Sequence, residues 1–390
     1  MHLYILFIFQ CDININLDIK VAPYLLVFNK IHIHIQIQYK FNTNMLDLYN
    51  SGFAFDDDNN YIMLDSDNST LDIISTNKPG VDIFLDYTNL EHSIPEIPST
   101  IKYFRINCRA FHYKNLILPS TLEYLHLQLS LSDIFKNNIL DCIMLPTSIK
   151  SLSIVLANDI SANDIPDTID NLYSNAVDKL LNNDNNNVKI PKNIEYLKIN
   201  FELPNIEEYT NLKVLVLESY HNNTINYPLD NLPASLEWLE INSFLFNYPL
   251  DNLPSGLKVL IFSQNRIWNY CNGYMHSLDG LPSGLEVLHF PENLSLEGNK
   301  YIATLENLPS SIKILRIPKY MPDNMNYNCL PDSIEILEWS EFGKYYKKIS
   351  RLPSNLKKII SNVYCNENIN MLKHFENMQF TFEFTTEFYN

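Results

Sequence analysis

The sequence predicts a mainly β solenoid: a curved array of about 12 repeats of 18–28 residues, with one parallel sheet on its concave face and loops along its convex face. Three observations predict it. The stretch 232–262, LPASLEWLEINSFLFNYPLDNLPSGLKVLIF, contains one unit twice. Pro233 and Pro254 stand 21 residues apart, each preceded by Leu and followed at +3, +6 and +8 by apolar residues (Leu236, Leu239, Ile241; then Leu257, Leu260, Phe262). The unit recurs, with Pro at 98, 119, 146, 166, 191, 233, 254, 282, 309, 331 and 353 and Tyr209 in the Pro position of a degenerate copy. The residue after each +3 position is charged, and its sign alternates along the chain.

A period near 21 residues with this spacing is that of a leucine-rich repeat. Such an array grows in one dimension, so 390 residues need not divide into separate globular domains. Apolar residues make up 46%, enough for a continuous core, and the formal charge is −17. An acidic surface repels a phosphate backbone, so nucleic acid is not an expected partner. The six cysteines (Cys11, Cys108, Cys142, Cys271, Cys329, Cys365) include no CxxC pair, which argues against a metal or disulfide framework and for a reducing, intracellular and cytoplasmic setting. The apolar run 3–9 lacks a basic flank and a small-residue cleavage site, and is too short to span a bilayer; neither secretion nor a membrane is expected.

Residues 1–44 form a divergent N-terminal segment, and Met45 is an alternative start. Ile31, Ile33, Ile35 and Ile37 alternate with His32, His34, Gln36 and Gln38, the period of an amphipathic strand. His32 and His34 fall on one face, but no third ligand stands nearby, so no metal site is expected. Residues 45–94 are read as the N-terminal cap. Asp56, Asp58 and Asn60 imitate the start of a calcium loop, yet Tyr61 stands where that loop turns on Gly.

The array occupies 95–362. Pro has no N–H to donate and suits the entry to a strand, holding the preceding Leu extended. The following L-x-x-L-x-L supplies a short parallel strand whose apolar side chains enter the solenoid. The charged column reads Lys102, Glu123, Lys150, Asp170, Glu195, Lys213, Glu237, Lys258, Glu286, Lys313, Glu335, Lys357; ten of its eleven neighbouring pairs have opposite sign. Parallel strands about 4.8 Å apart set unlike neighbours side by side, which marks the register of stacking. The like pair, Asp170 with Glu195, leaves two readings of 166–174: a true repeat, or part of an inserted helix in which Ile169, Leu172, Tyr173, Ala176 and Leu180 share one face. Residues 363–390 form the C-terminal cap, with 366–377 helical and Phe380, Phe382 and Phe384 alternating as a last strand.

The phrases INYPLDNLP (225–233) and FNYPLDNLP (246–254) resemble the FNIP repeat, a leucine-rich-repeat variant plentiful in amoebae and in giant DNA viruses of amoebae. The likeness covers about 95–362. It implies an interaction scaffold without an active site. Some family members carry an F-box, which would make the chain a ubiquitin-ligase substrate adaptor, but 1–94 shows no Leu-Pro-led helical triplet of that type. A structural component of a particle is the remaining alternative.

Residues between the inward leucines should face the concave surface in two columns. The first runs Tyr103, Tyr124, Ser151, Asn171, Tyr196, Val214, Trp238, Val259, Val287, Ile314, Ile336, Lys358. The second runs Arg105, His126, Ser153, Tyr173, Lys198, Val216, Glu240, Ile261, His289, Arg316, Glu338, Ile360. Tyr, Trp and Arg dominate interface energetics. The expected partner-binding residues are therefore Tyr103, Arg105, Tyr124, His126, Tyr196, Lys198, Trp238 and Glu240, met by a protein of unidentified kind. The apolar stretch from Val259 to Ile336 reads as a docking patch or as a surface covered by loops. No nucleophile beside a base, paired carboxylates or metal-ligand cluster is visible; no enzyme activity and no cofactor are expected.

Overall fold

A computed structural model describes residues 61–64, 80–85, 97–108, 117–130, 144–157, 177–178, 181, 189–219, 225, 227–243, 246–262, 276–290, 305–317, 326–339, 342–362, 374 and 380–385. Contacts divide the chain into Met1–Lys40 and Phe41–Asn390, and every described residue belongs to the second unit. The expectations for Ile31–Ile37 with its two histidines, and for Asp56–Asn60, lie outside the described residues.

Among the described residues, fourteen parallel strands pair in chain order in one sheet. They are β1 (Tyr61–Leu64), β2 (Gly80–Leu85), β3 (Tyr103–Cys108), β4 (Tyr124–Ser130), β5 (Ser151–Ala157), β6 (Tyr196–Ile199) and β7 (Val214–Glu218), followed by β8 (Trp238–Asn242), β9 (Val259–Phe262), β10 (Val287–His289), β11 (Ile314–Ile317), β12 (Ile336–Trp339), β13 (Lys358–Asn362) and β14 (Thr381–Thr385). Each strand of the array comes from one repeat, and the +3, +6 and +8 residues enter one continuous core; Leu122, Leu125 and Leu127 are fully enclosed, as are Leu236, Leu239 and Ile241. Burying each such side chain stabilises the fold by about 1.5–3 kcal/mol. A single repeat cannot enclose its own leucines, so stability comes from stacking. The fold is a leucine-rich-repeat solenoid.

The proline has a more specific role than strand entry. Its carbonyl accepts the N–H of the +3 apolar residue, from Ile101 onto Pro98 (3.0 Å) through Leu236 onto Pro233 (3.0 Å) to Leu356 onto Pro353 (3.2 Å). Pro is thus the first residue of a β-turn that delivers the chain to the strand. Tyr209 closes the same turn, accepting Leu212 N–H at 2.9 Å, because the bond needs only a carbonyl at this position. In several repeats a serine at +2 ties the turn to the one before. Ser148 Oγ donates to Leu122 O (2.6 Å), Ser235 Oγ to Leu212 O (2.8 Å), Ser311 Oγ to Leu285 O (2.6 Å) and Ser333 Oγ to Ile312 O (2.7 Å).

The charged column stacks as the alternation predicts. Backbone bonds join each charged residue to its predecessor, such as Glu123 N–H to Lys102 O and Lys258 N–H to Glu237 O, both 2.9 Å. Ion pairs join Lys102 to Glu123 (2.7 Å), Lys213 to Glu195 (3.3 Å), Lys258 to Glu237 (2.5 Å), Lys313 to Glu286 (2.8 Å) and Lys357 to Glu335.

Residues 166–174, with their two readings, lie outside the described residues, but the strands on either side of them are neighbours. β5 pairs directly with β6, Ser151 opposite Tyr196, and Glu195 N–H reaches Lys150 O at 2.8 Å. No strand intervenes, so Lys150 neighbours Glu195 and the alternation is complete. Asp170, Asn171 and Tyr173 lie outside the described residues. Residues 177, 178 and 181 are helical, and Val177 and Leu181, four apart, pack against the core. The 45 residues from Pro146 to Pro191 therefore carry the chain from β5 to β6 as one long repeat.

Near the C-terminal end, Trp339 stacks on Tyr345 (ring centroids 5.2 Å) and meets Phe342 edge-on (5.6 Å). Phe342–Tyr345 form a short helix, α1, after β12. β14 continues the sheet past β13, and Phe380 and Phe382 pack against the core.

Candidate interaction face

Strict register assembles both predicted columns on the sheet face away from the core. Tyr103 pairs with Tyr124, Tyr124 with Ser151, Ser151 with Tyr196, Tyr196 with Val214 and Val214 with Trp238. In the neighbouring column Arg105, His126, Ser153, Lys198, Val216 and Glu240 follow one another in the same way. All eight predicted contact residues thus share one two-column patch on β3–β8. The Tyr103 and Tyr124 rings lie 6.5 Å apart.

The face is far less open than the sequence suggests. Tyr124 (3%), Tyr196 (1%), Trp238 (3%) and Glu240 (5%) retain almost no exposure, whereas Tyr103, Arg105, His126 and Lys198 are half-buried. The apolar stretch beyond is enclosed as well, with Val259, Val287, Ile314 and Ile336 all buried. Of its two readings, an open docking patch does not describe it.

Several polar groups on this face are held in pairs. His126 Nδ1 and Ser153 Oγ share a hydrogen bond of 2.8 Å. Desolvation, reinforced by the positive charges of Lys198 and Arg105, drives the His126 ring from its usual 6.5 down to about 3, so it is neutral at physiological pH. Burial pushes the Tyr196 phenol well above its ordinary value. Lys198 pairs with Glu218, and Arg316 donates through Nε (2.7 Å) and Nη2 (2.6 Å) to Glu338 Oε2. Lys358 pairs with Glu383. Counting along the repeats places Arg316 and Glu338 in one column without pairing them; their opposite charges at the same strand offset in adjacent repeats were the signal.

Catalytic geometry does not emerge from these residues. His126 on β4 and His289 on β10 are separated by the strands between them. Among the described residues no group of three or more His, Cys, Asp or Glu side chains is placed to hold a metal ion, and no helix is long and apolar enough to cross a membrane. Cys329 donates to Asn326 O at 3.0 Å, and burial raises its thiol, the reverse of what a reactive cysteine needs.

No protein family and no curated protein matches the sequence. Among solved structures, an internalin from Listeria monocytogenes is similar over 74% of this chain and 75% of its own, at 14% identity and a TM-score of 0.35.

Proposed function

We propose that the chain is a non-enzymatic scaffold that binds a protein partner on the concave face of its solenoid, through Tyr103, Arg105, Tyr124, His126, Tyr196, Lys198, Trp238 and Glu240. The observation that carries the reading is their gathering into one two-column patch, rich in the residue types that anchor interfaces. Tyr103, Arg105, His126 and Lys198 keep accessible surface and would make first contact. Tyr124, Tyr196 and Trp238, locked by packing, form a rigid backing that loses little side-chain entropy on binding. The FNIP-like phrases at 225–254 support the same reading, because that family is taken to consist of interaction scaffolds. An F-box-type adaptor finds less support: Tyr61–Leu64 and Gly80–Leu85, within the segment such a module would occupy, are strands of the sheet.

The test is proximity labelling by the full chain in amoebal cells, comparing the natural sequence with Tyr103→Ala/Arg105→Ala. The reading expects partners whose labelling falls at least tenfold in the variant while its thermal melt stays within a few degrees. An unchanged set of partners contradicts it.

A further inference from the structure

The step from Pro191 to Tyr209 is the shortest in the array, 18 residues against 24 for the step from Tyr209 to Pro233. The chain shortens its path on the loop side with a tight turn at Pro204–Asn205 and a 3₁₀ turn, Ile206–Glu208. Asn205 takes a left-handed conformation (φ 55°), which Asn tolerates better than most residues. The following repeat crosses by a longer route through 227–232. Between the short path and the long one lies a pocket of about 170 Å³.

Its apolar lining comes from Leu203, Leu215, Leu217 and Leu229, which belong to the core, together with Tyr227. The Tyr227 hydroxyl donates to Phe201 O at 3.1 Å and ties one wall to the other. Glu202, Glu207 and Asp230 contribute three carboxylates, and no Lys, Arg or His lines the pocket. Burial, and then the Glu202 charge, raise the Tyr227 phenol.

Size and charge together select the occupant. Cofactor and drug-sized sites run to roughly 300–1,000 Å³, whereas a cavity of about 150 Å³ holds one benzene-sized group. This pocket therefore suits a single side chain. An apolar interior beneath acidic groups, on a chain of charge −17, calls for an aliphatic stem with a cationic head. A guanidinium adds a planar face for the Tyr227 ring and a fork of donors for carboxylates. We propose that this pocket receives an arginine side chain from a basic segment of a partner protein. It lies on the loop side, away from the sheet's outer face, so the proposal stands or falls independently of the scaffold reading.

The full chain is titrated with acetyl-Gly-Arg-Gly-amide and with the uncharged citrulline analogue, followed by saturation-transfer NMR. The arginine peptide should receive saturation on its side-chain methylene protons, with the citrulline peptide at least tenfold weaker. Glu202→Gln/Glu207→Gln, at two exposed positions, should weaken the arginine peptide at least tenfold with an unchanged thermal melt. Absence of transfer to the arginine peptide, equal binding of the two peptides, or undiminished binding by the double variant would each overturn the proposal.

Discussion

Asn200 carries more of the fold than its place after a short strand suggests. β6 is four residues long beside the seven of β5, and the Asn200 amide substitutes for the missing backbone. Its Oδ1 accepts Leu156 N–H and its Nδ2 donates to Leu156 O, both at 2.9 Å and buried. Asn200→Ala leaves both backbone groups without partners, so urea denaturation should report a loss of about 2–4 kcal/mol. Two glycines make opposite predictions. Gly256 holds the +2 place where Ser148, Ser235, Ser311 and Ser333 bond to the preceding turn, and an added Cβ would sit 3.5 Å from Ala234 O and 3.8 Å from Leu236 O, ordinary contacts. Gly256→Ser should stabilise by about 0.5–1.5 kcal/mol, by restricting the unfolded chain and restoring a bond between turns. Gly280→Asn restores the Asp-Asn-Leu-Pro phrase of the two preceding repeats, yet should destabilise by about 1–3 kcal/mol, since its Cβ would lie 3.0 Å from Asp251 Cα. Both are read from denaturation midpoints. His126 supplies a pH dependence. Its folded pKa, about 3, lies below the unfolded 6.5, so the unfolded chain binds more protons between those values. The contribution is intact above pH 6.5 and lost as pH falls toward 3, amounting to roughly 2 kcal/mol at pH 5. His126→Gln should remove that slope, so the stability gap between variant and natural protein should shift by this amount between pH 7 and pH 5.

At the scale of the repeat, turn and charge column act together: the Pro carbonyl closes the turn, the +2 hydroxyl bridges to the previous turn, and the +4 charge marks the register. Each exposed ion pair contributes only about 0–1 kcal/mol, but slipping the stack by one repeat sets like charges against each other along the whole column. Lys258→Glu puts a third carboxylate between Glu237 and Glu286 and should cost about 1–2 kcal/mol at low salt. Most of that loss should vanish in 1 M NaCl if, as here, the column lies at the surface. This level was legible in the sequence because strand side chains alternate strictly and the repeat is in register. Residues such as Tyr196 and Trp238 could therefore be assigned to one column by counting. Their burial could not be counted, since exposure depends on what surrounds the sheet face rather than on spacing. Asn200 was equally hidden: its role follows from the unequal lengths of β5 and β6, which no residue pattern announces.

For the whole molecule, everything rests on the order of strands, and the step from Pro146 to Pro191 is where the sequence left it undecided. Forty-five residues accommodate two short repeats or one long one, and Asp170 fits the column in place while breaking its alternation. Only the direct pairing of β5 with β6 separates the two. Because a solenoid's stability accumulates through contacts between neighbours, an error here would shift the partner of every strand on one side. It would also split the patch of Tyr103, Tyr124, Tyr196 and Trp238. The most direct test is a disulfide between Lys150→Cys and Glu195→Cys, in a background with the six native cysteines changed to serine. Adjacent parallel strands hold such residues about 4.8 Å apart, within disulfide range, while an intervening strand would separate them by roughly 9.6 Å, beyond it. The account predicts near-complete cross-linking under mild oxidation, seen as a linked peptide by mass spectrometry. Two free thiols after oxidation, in a chain that still melts cooperatively, would contradict it.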